Sequence, residues 1–197
     1  MQADIFPSGN RSGPADRFTD IAFDAQYQFM GTIEAEPMQE HMQMGGEHKA
    51  KAGKHTITAH ATWIHENQDW KASFPLGNTS RQSSFLNTFK INANYYYKSH
   101  FGMLGGTVAY FSTTGPRDTL LYAPDPVDGS RTGSPNSSGF ILELNYLRYE
   151  ITKFLTLKSS LQYTIYTKFN GAHSNYDGSG RNASDNNMLY ALVWLMF

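Results

Sequence analysis

Side chains able to hold a metal are concentrated between residues 30 and 53, in the stretch MGTIEAEPMQEHMQMGGEHKAKAG. It carries Glu34, Glu36, Glu40, His41, Glu47 and His48 with Met38, Met42 and Met44. Imidazole with thioether suits copper, and imidazole with carboxylate suits zinc or nickel. The spacing gives no His-x3-His pair on a helix and no other closed ligand set, so the stretch reads as a solvated or strand-extending insertion without a preformed metal geometry. A second group is His55, His60, His65 and Glu66. In extended chain, alternate side chains point to opposite faces, which puts His60 with Glu66 and His55 with His65. That separation suits polar lining and interfacial residues better than a metal site or proton relay. A third group, DGSGRNASD at 177–185, has the acid and glycine rhythm of a calcium loop, but Arg181 stands at its fifth position, where an oxygen ligand is needed. It reads as a long surface loop.

No nucleophile is set up for catalysis. There is no serine elbow and no His–Ser pair with an orienting acid. The glycine pairs 45–46 and 105–106 lack the strand-to-helix setting of a phosphate loop. The expectation is therefore a protein that is not an enzyme and carries no cofactor in this chain.

The elements that must position these residues are strands. Period-2 alternation recurs at residues 18–29, 54–68, 84–97, 101–112, 139–149, 155–169 and 188–197. In the sixth of these, Leu155, Leu157, Leu161, Tyr163 and Ile165 oppose Lys158, Ser160, Gln162, Thr164 and Lys168. Connections alternate in length: 98–100 and 150–154 are tight, whereas 69–83, 113–138 and 170–187 are long and polar. Strands longer than the usual five or six residues, short turns on one rim and long loops on the other suit a transmembrane β-barrel. Aromatics gather near strand ends (Trp70, Tyr95, Tyr97, Tyr146, Tyr149, Phe169), as interfacial girdles do.

Composition points the same way. Aromatic residues make up 14% of 197 residues while mean hydropathy is −0.50, which suits one greasy and one wet face. Seventeen acidic and sixteen basic residues leave a net charge of −1, which argues against a nucleic-acid partner held by phosphate contacts. The absence of cysteine excludes disulfides, thiolate zinc and a haem attached covalently within these residues. No run approaches the roughly 20 apolar residues of a membrane-spanning helix.

The last strand ends on Phe197 with apolar residues at every second position back to Leu189. This resembles the C-terminal signature of bacterial outer-membrane proteins, which implies that Phe197 is part of a signal read by the barrel assembly machinery. The segments GSPNSSGF (133–140), YTIYTKFNG (163–171) and NYDGSGRNASDNN (175–187) resemble porin-like barrels of proteobacteria, some of which follow a monohaem c-type cytochrome segment. The resemblance covers most of the chain from Arg17 onward. It implies passage of solute or electrons across the outer membrane of a Gram-negative bacterium, with a c-type cytochrome as a partner. The chain departs from it in having no Cys-x-x-Cys-His and only about seven strands.

The reading is one domain over 1–197: an all-β antiparallel transmembrane barrel, or an incomplete part of one, with seven or eight strands. Residues 1–16 form a polar loop or terminus and 30–53 an insertion on the short-turn rim. Seven strands do not close in lipid alone, because an unpaired edge leaves backbone groups unsatisfied there. Together with the lack of a signal peptide and the polar start, this suggests a truncated chain, or a second chain or copy that completes the wall. Glu66, Lys90, Glu143, Lys158 and Lys168 are expected to face a lumen and to set ion selectivity. The rival reading is a closed or soluble β-sheet protein that binds a partner through its long loops.

Overall fold

Strict alternation of apolar and polar residues gives the backbone one low-energy solution, a sheet with two unlike faces, and that is what forms. The structure is a computed structural model that describes residues 13–32, 54–124, 129–152 and 155–196. It contains β1 (Arg17–Thr32), β2 (Lys54–Asp69), β3 (Ser83–Ser99), β4 (Gly102–Thr114), β5 (Ser137–Thr152), β6 (Leu155–Lys168) and β7 (Met188–Met196). A single 3-10 turn, Ala183–Asn186, precedes β7. The seven strands pair in sequence order as one antiparallel sheet, β1-β2-β3-β4-β5-β6-β7.

The first five strands are longer than the alternation suggested. β1 continues through Met30, Gly31 and Thr32, so the insertion expected from residue 30 begins after β1; the rest of it, and with it His41 and His48, lies outside the described residues. β5 runs on to Thr152, which pairs with Leu155, tightening the second short connection to two residues. Phe197 also lies outside the described residues.

Register makes the faces continuous. Tyr27, Ala59, Ala93, Val108, Leu142, Tyr163 and Leu189 are successive cross-strand partners, one from each strand. On the opposite face the corresponding row is Gln28, Thr58, Asn94, Thr107, Glu143, Gln162 and Tyr190. The apolar face is uncovered: Phe23, Tyr27 and Val193 are 65%, 66% and 68% exposed. Among the described residues the buried hydrophobics are only Ala109, Tyr176 and Ala183. The described residues thus form one layer, without the second sheet that a sandwich needs to bury its inner face. β1 and β7 are edges, and the sheet is not closed.

A β-bulge interrupts β6 against β5, with Thr167 as the extra residue, where Ser138 pairs with Lys168 but Gly139 with Tyr166. Glycine is required there, since a Cβ on Gly139 would fall on the Ile165 carbonyl oxygen and crowd the Phe111 ring. Gly139→Ala is expected to destabilise the sheet by about 1–3 kcal/mol through forced backbone displacement, checked by the midpoint of thermal unfolding.

Candidate functional site: a two-faced wall and its loop platform

The polar face is organised by cross-strand hydrogen bonds. Asp24 on β1 accepts from the Thr62 hydroxyl at 2.6 Å and lies 2.8 Å from His60 Nε2, both on β2. Further along, Asn94 on β3 donates through Nδ2 to the Thr58 hydroxyl at 2.8 Å, while its Oδ1 accepts from the Thr107 hydroxyl at 2.8 Å. These bonds tie β2, β3 and β4 together through one asparagine. On β5 and β6, Asn145 accepts from the Ser160 hydroxyl at 2.6 Å. Directly opposite residues on one face are close enough for such pairs, which is why polar residues at equal register find each other.

The polarity of this face fades toward the C-terminal edge. Ile141, Leu147, Met188, Tyr190, Leu192 and Trp194 occupy it on β5 and β7. β7 is therefore apolar on both sides, not only at the alternate positions Leu189, Ala191, Val193 and Leu195 that the sequence reading assigned outward.

The other face carries two aromatic belts. Toward the long-loop rim, Phe23 stacks on Trp63, Trp63 on His65, and His65 on Phe85, each with ring centroids 5.8 Å apart. Toward the short-turn rim, His55 Nδ1 lies 2.6 Å from the Tyr95 hydroxyl and its ring sits 5.0 Å from that of Tyr97. The Tyr146 hydroxyl and Arg148 both donate to the Phe101 carbonyl of the short β3–β4 turn. From His55 to Trp63 the strand advances roughly 26 Å. Small and aliphatic residues fill the band between the two belts: Ala59, Ala61, Ile91, Val108, Leu142 and Leu161.

Beyond the long-loop rim the described loop residues form a platform organised around carboxylates. Asp118, 3% exposed, gathers the first two long loops. Its Oδ1 accepts from the backbone N–H of Leu120 and Leu121 at 2.9 and 3.0 Å, and its Oδ2 from the Thr79 hydroxyl and the Ser80 N–H at 2.8 and 2.9 Å. Burial by itself would raise its pKa; the hydrogen bonds from Leu121, Thr79, Leu120 and Ser80 outweigh it and hold the carboxyl at about 2. Asp177 does the same for the third loop, accepting from Ser179 and Arg181 N–H groups at 2.8 and 3.1 Å. Its pKa is lowered because these bonds, with the Arg181 charge, overcome burial. Asp16, just before β1, accepts from the N–H groups of Ala72 and Ser73 at 2.8 and 3.0 Å and from the Ser73 hydroxyl, which lowers its pKa.

Tyr176 sits at the centre of the third loop with no exposed surface. Its ring meets Phe169 edge-on at 4.9 Å, and the Arg181 guanidinium lies 5.5 Å from the ring centroid. The Tyr176 carbonyl accepts from the Arg131 N–H at 2.6 Å, and the Ser130 hydroxyl donates to the Asn170 carbonyl at 2.6 Å, so the second and third loops are joined. The DGSGRNASD segment is therefore an internally bonded cap: its acids Asp177 and Asp185 are engaged with its own backbone. Among the described residues no group of three or more His, Asp or Glu side chains converges as a metal site.

The expected lumen residues share a face but not a ring. Glu66, Lys90, Glu143 and Lys158 stand opposite Leu86, Thr62, Thr107 and Leu147, all on the polar side, but on four different cross-strand rows. Among the described residues no ion pair links them; Glu66 accepts from the Gln68 amide at 2.6 Å instead. Glu66 lies under the second loop, where burial and the charges of Asp118 and Glu66 raise the Tyr122 phenol pKa. For Lys168 the bulge opposite Gly139 intervenes, so the alternation behind its expected inward placement is interrupted before it is reached. Alternation alone did not single out the Asp24–His60 pair or the Asn94 tie, since both depend on which residues meet across strands.

No protein-family description, curated protein or solved structure matches this chain.

Proposed function

We propose that this chain is part of the wall of an outer-membrane β-barrel, with its aromatic face on lipid and its polar face lining a pathway for solute or ions. The observation that carries the reading is the uncovered apolar face bounded by two aromatic belts. A water-soluble sheet with this face would need a second layer over it. Glu66, Lys90, Glu143 and Lys158 line the pathway with both signs of charge, which gives weak selectivity. The assembly machinery acting on Phe197, and a c-type cytochrome delivering electrons, are partners that follow from the resemblance to porin-like barrels of Gram-negative bacteria.

The open edges constrain how the wall is completed. β1 and β7 run in the same direction, since an even number of antiparallel steps separates them. Joining them directly, or joining β7 of one copy to β1 of the next around a common pore axis, makes a parallel pair. Antiparallel closure takes an odd number of further strands, which restores the even total usual for bacterial barrels.

The absence of cysteine makes the faces directly testable. In outer-membrane vesicles, Gln162→Cys is expected to react with a membrane-impermeant maleimide, and Leu161→Cys to be protected. Equal labelling of the two neighbours would rule the lipid-facing assignment out.

A further inference from the structure

Building on the membrane reading above, we infer that the outward depression between Arg17 and Arg81, at the long-loop rim, binds the phosphate of a phosphorylated acyl lipid. The depression is lined by Arg17, Thr19, Asn67, Asp69, Arg81, Ser83 and Phe85, with Gln68, Ser84 and Pro116 completing it. Register places most of its lining on the aromatic side of the sheet: Arg17 stands opposite Asp69 and Thr19 opposite Asn67, while Asp69 stands opposite Ser83 and Asn67 opposite Phe85.

Charge decides the sign of the ligand. The acid lining the depression, Asp69, is bridged by Lys71 at 3.2 Å. Arg17 and Arg81 are exposed, and among the described residues neither guanidinium has an ion-pair or hydrogen-bond partner. Two guanidinium groups beside a neutralised carboxylate leave a net positive site with fork-shaped donors, the geometry that phosphate oxygens accept. The Thr19 and Ser83 hydroxyls and the Asn67 amide add neutral polar groups suited to a sugar or glycerol head.

What lies below selects a lipid over free phosphate. Phe85 belongs both to the depression and to the upper aromatic belt, through its stack on His65. Beneath that belt, Ala25, Ala59 and Ala61 floor a shallow groove flanked by Tyr27 and Ile91. A head group held by the arginines would therefore lead its acyl chains past Phe23 and Trp63 into this groove. The arrangement is polar, aromatic and aliphatic in descending order, as the membrane interface is.

The test is native mass spectrometry of the full-length protein in nonionic detergent, with bisphosphorylated lipid A, its dephosphorylated form and inorganic phosphate as probes. The wild-type protein should retain the bisphosphorylated lipid at least ~10-fold better than the dephosphorylated one. Arg17→Gln/Arg81→Gln should abolish that preference while keeping the wild-type circular dichroism spectrum. If the double variant does not fold, each single variant is expected to weaken retention about threefold. Equal retention by folded variants, or displacement of the lipid by an equal concentration of inorganic phosphate, would overturn the site. The Leu161→Cys labelling separates the two readings. Protection of that cysteine without lipid retention sinks only the phosphate site, and its labelling from water sinks the membrane wall as well.

Discussion

Replacing Leu161 with arginine is expected to cost about 2–4 kcal/mol in folding stability in a bilayer, the penalty of a cation near the midplane on the lipid side of a barrel. Leu161 lies in the centre of the band, with Leu144 on one side and Ala191 on the other. The same change at its neighbour, Gln162→Arg, points to the wet face and should cost no more than a surface substitution, about 0.5 kcal/mol. The contrast between adjacent residues is the informative quantity, because composition, strand and depth are nearly identical and only the side of the sheet differs. Urea titration of vesicle-embedded protein measures both. Comparable costs at the two positions would mean that the faces are not distinguished by lipid and water.

Asp118→Ala is expected to destabilise the loop platform by about 3 kcal/mol, because it leaves the N–H groups of Ser80, Leu120 and Leu121 and the Thr79 hydroxyl without their acceptor. Asp118→Asn should recover only part of this: an amide keeps one acceptor oxygen but turns its N–H donors toward the Thr79 hydroxyl and the Ser80 N–H. Rapid proteolysis within the 115–124 loop, with the strands intact, is the expected readout. The pH dependence follows from the depressed pKa, held at about 2 instead of the ordinary 3.8. The ionised form is favoured in the folded state, so its stabilisation is fully present above about pH 4 and is lost as pH falls through about 2. Asp118→Asn should flatten that acid limb. An unchanged limb would assign the acid sensitivity to other carboxylates, such as Asp16 and Asp177.

How much of this is visible without coordinates differs from strand to strand. Between β3 and β4 only His100 and Phe101 intervene, because Ser99 pairs with Gly102. A turn this short fixes register by counting, so the meeting of Asn94 with Thr107 is implicit in the residue numbers. Between β5 and β6 the turn is equally short, but register shifts break the count, so alternation along β6 does not carry through to Lys168. Between β1 and β2, residues 33–53 intervene, and a connection of that length sets no register. The Asp24–His60–Thr62 cluster was therefore unreadable even though all three residues are polar and on the expected side.

The loop platform was hidden for a related reason. Asp16, Asp118 and Asp177 look like ordinary loop acids, and what distinguishes them is the set of backbone N–H groups that distant turns aim at them. Such convergence depends on chain path and not on residue type.

The sequence by itself determined the all-β class, the seven strands and the composition of each face, because a side-chain period of two follows from local backbone geometry alone. Only the tertiary structure decided which residues oppose one another, that the loops lock onto buried carboxylates, and that Arg17 and Arg81 share one depression. Those are relations between segments far apart in the chain, set by cross-strand register and loop path, and alternation within a strand carries no information about either.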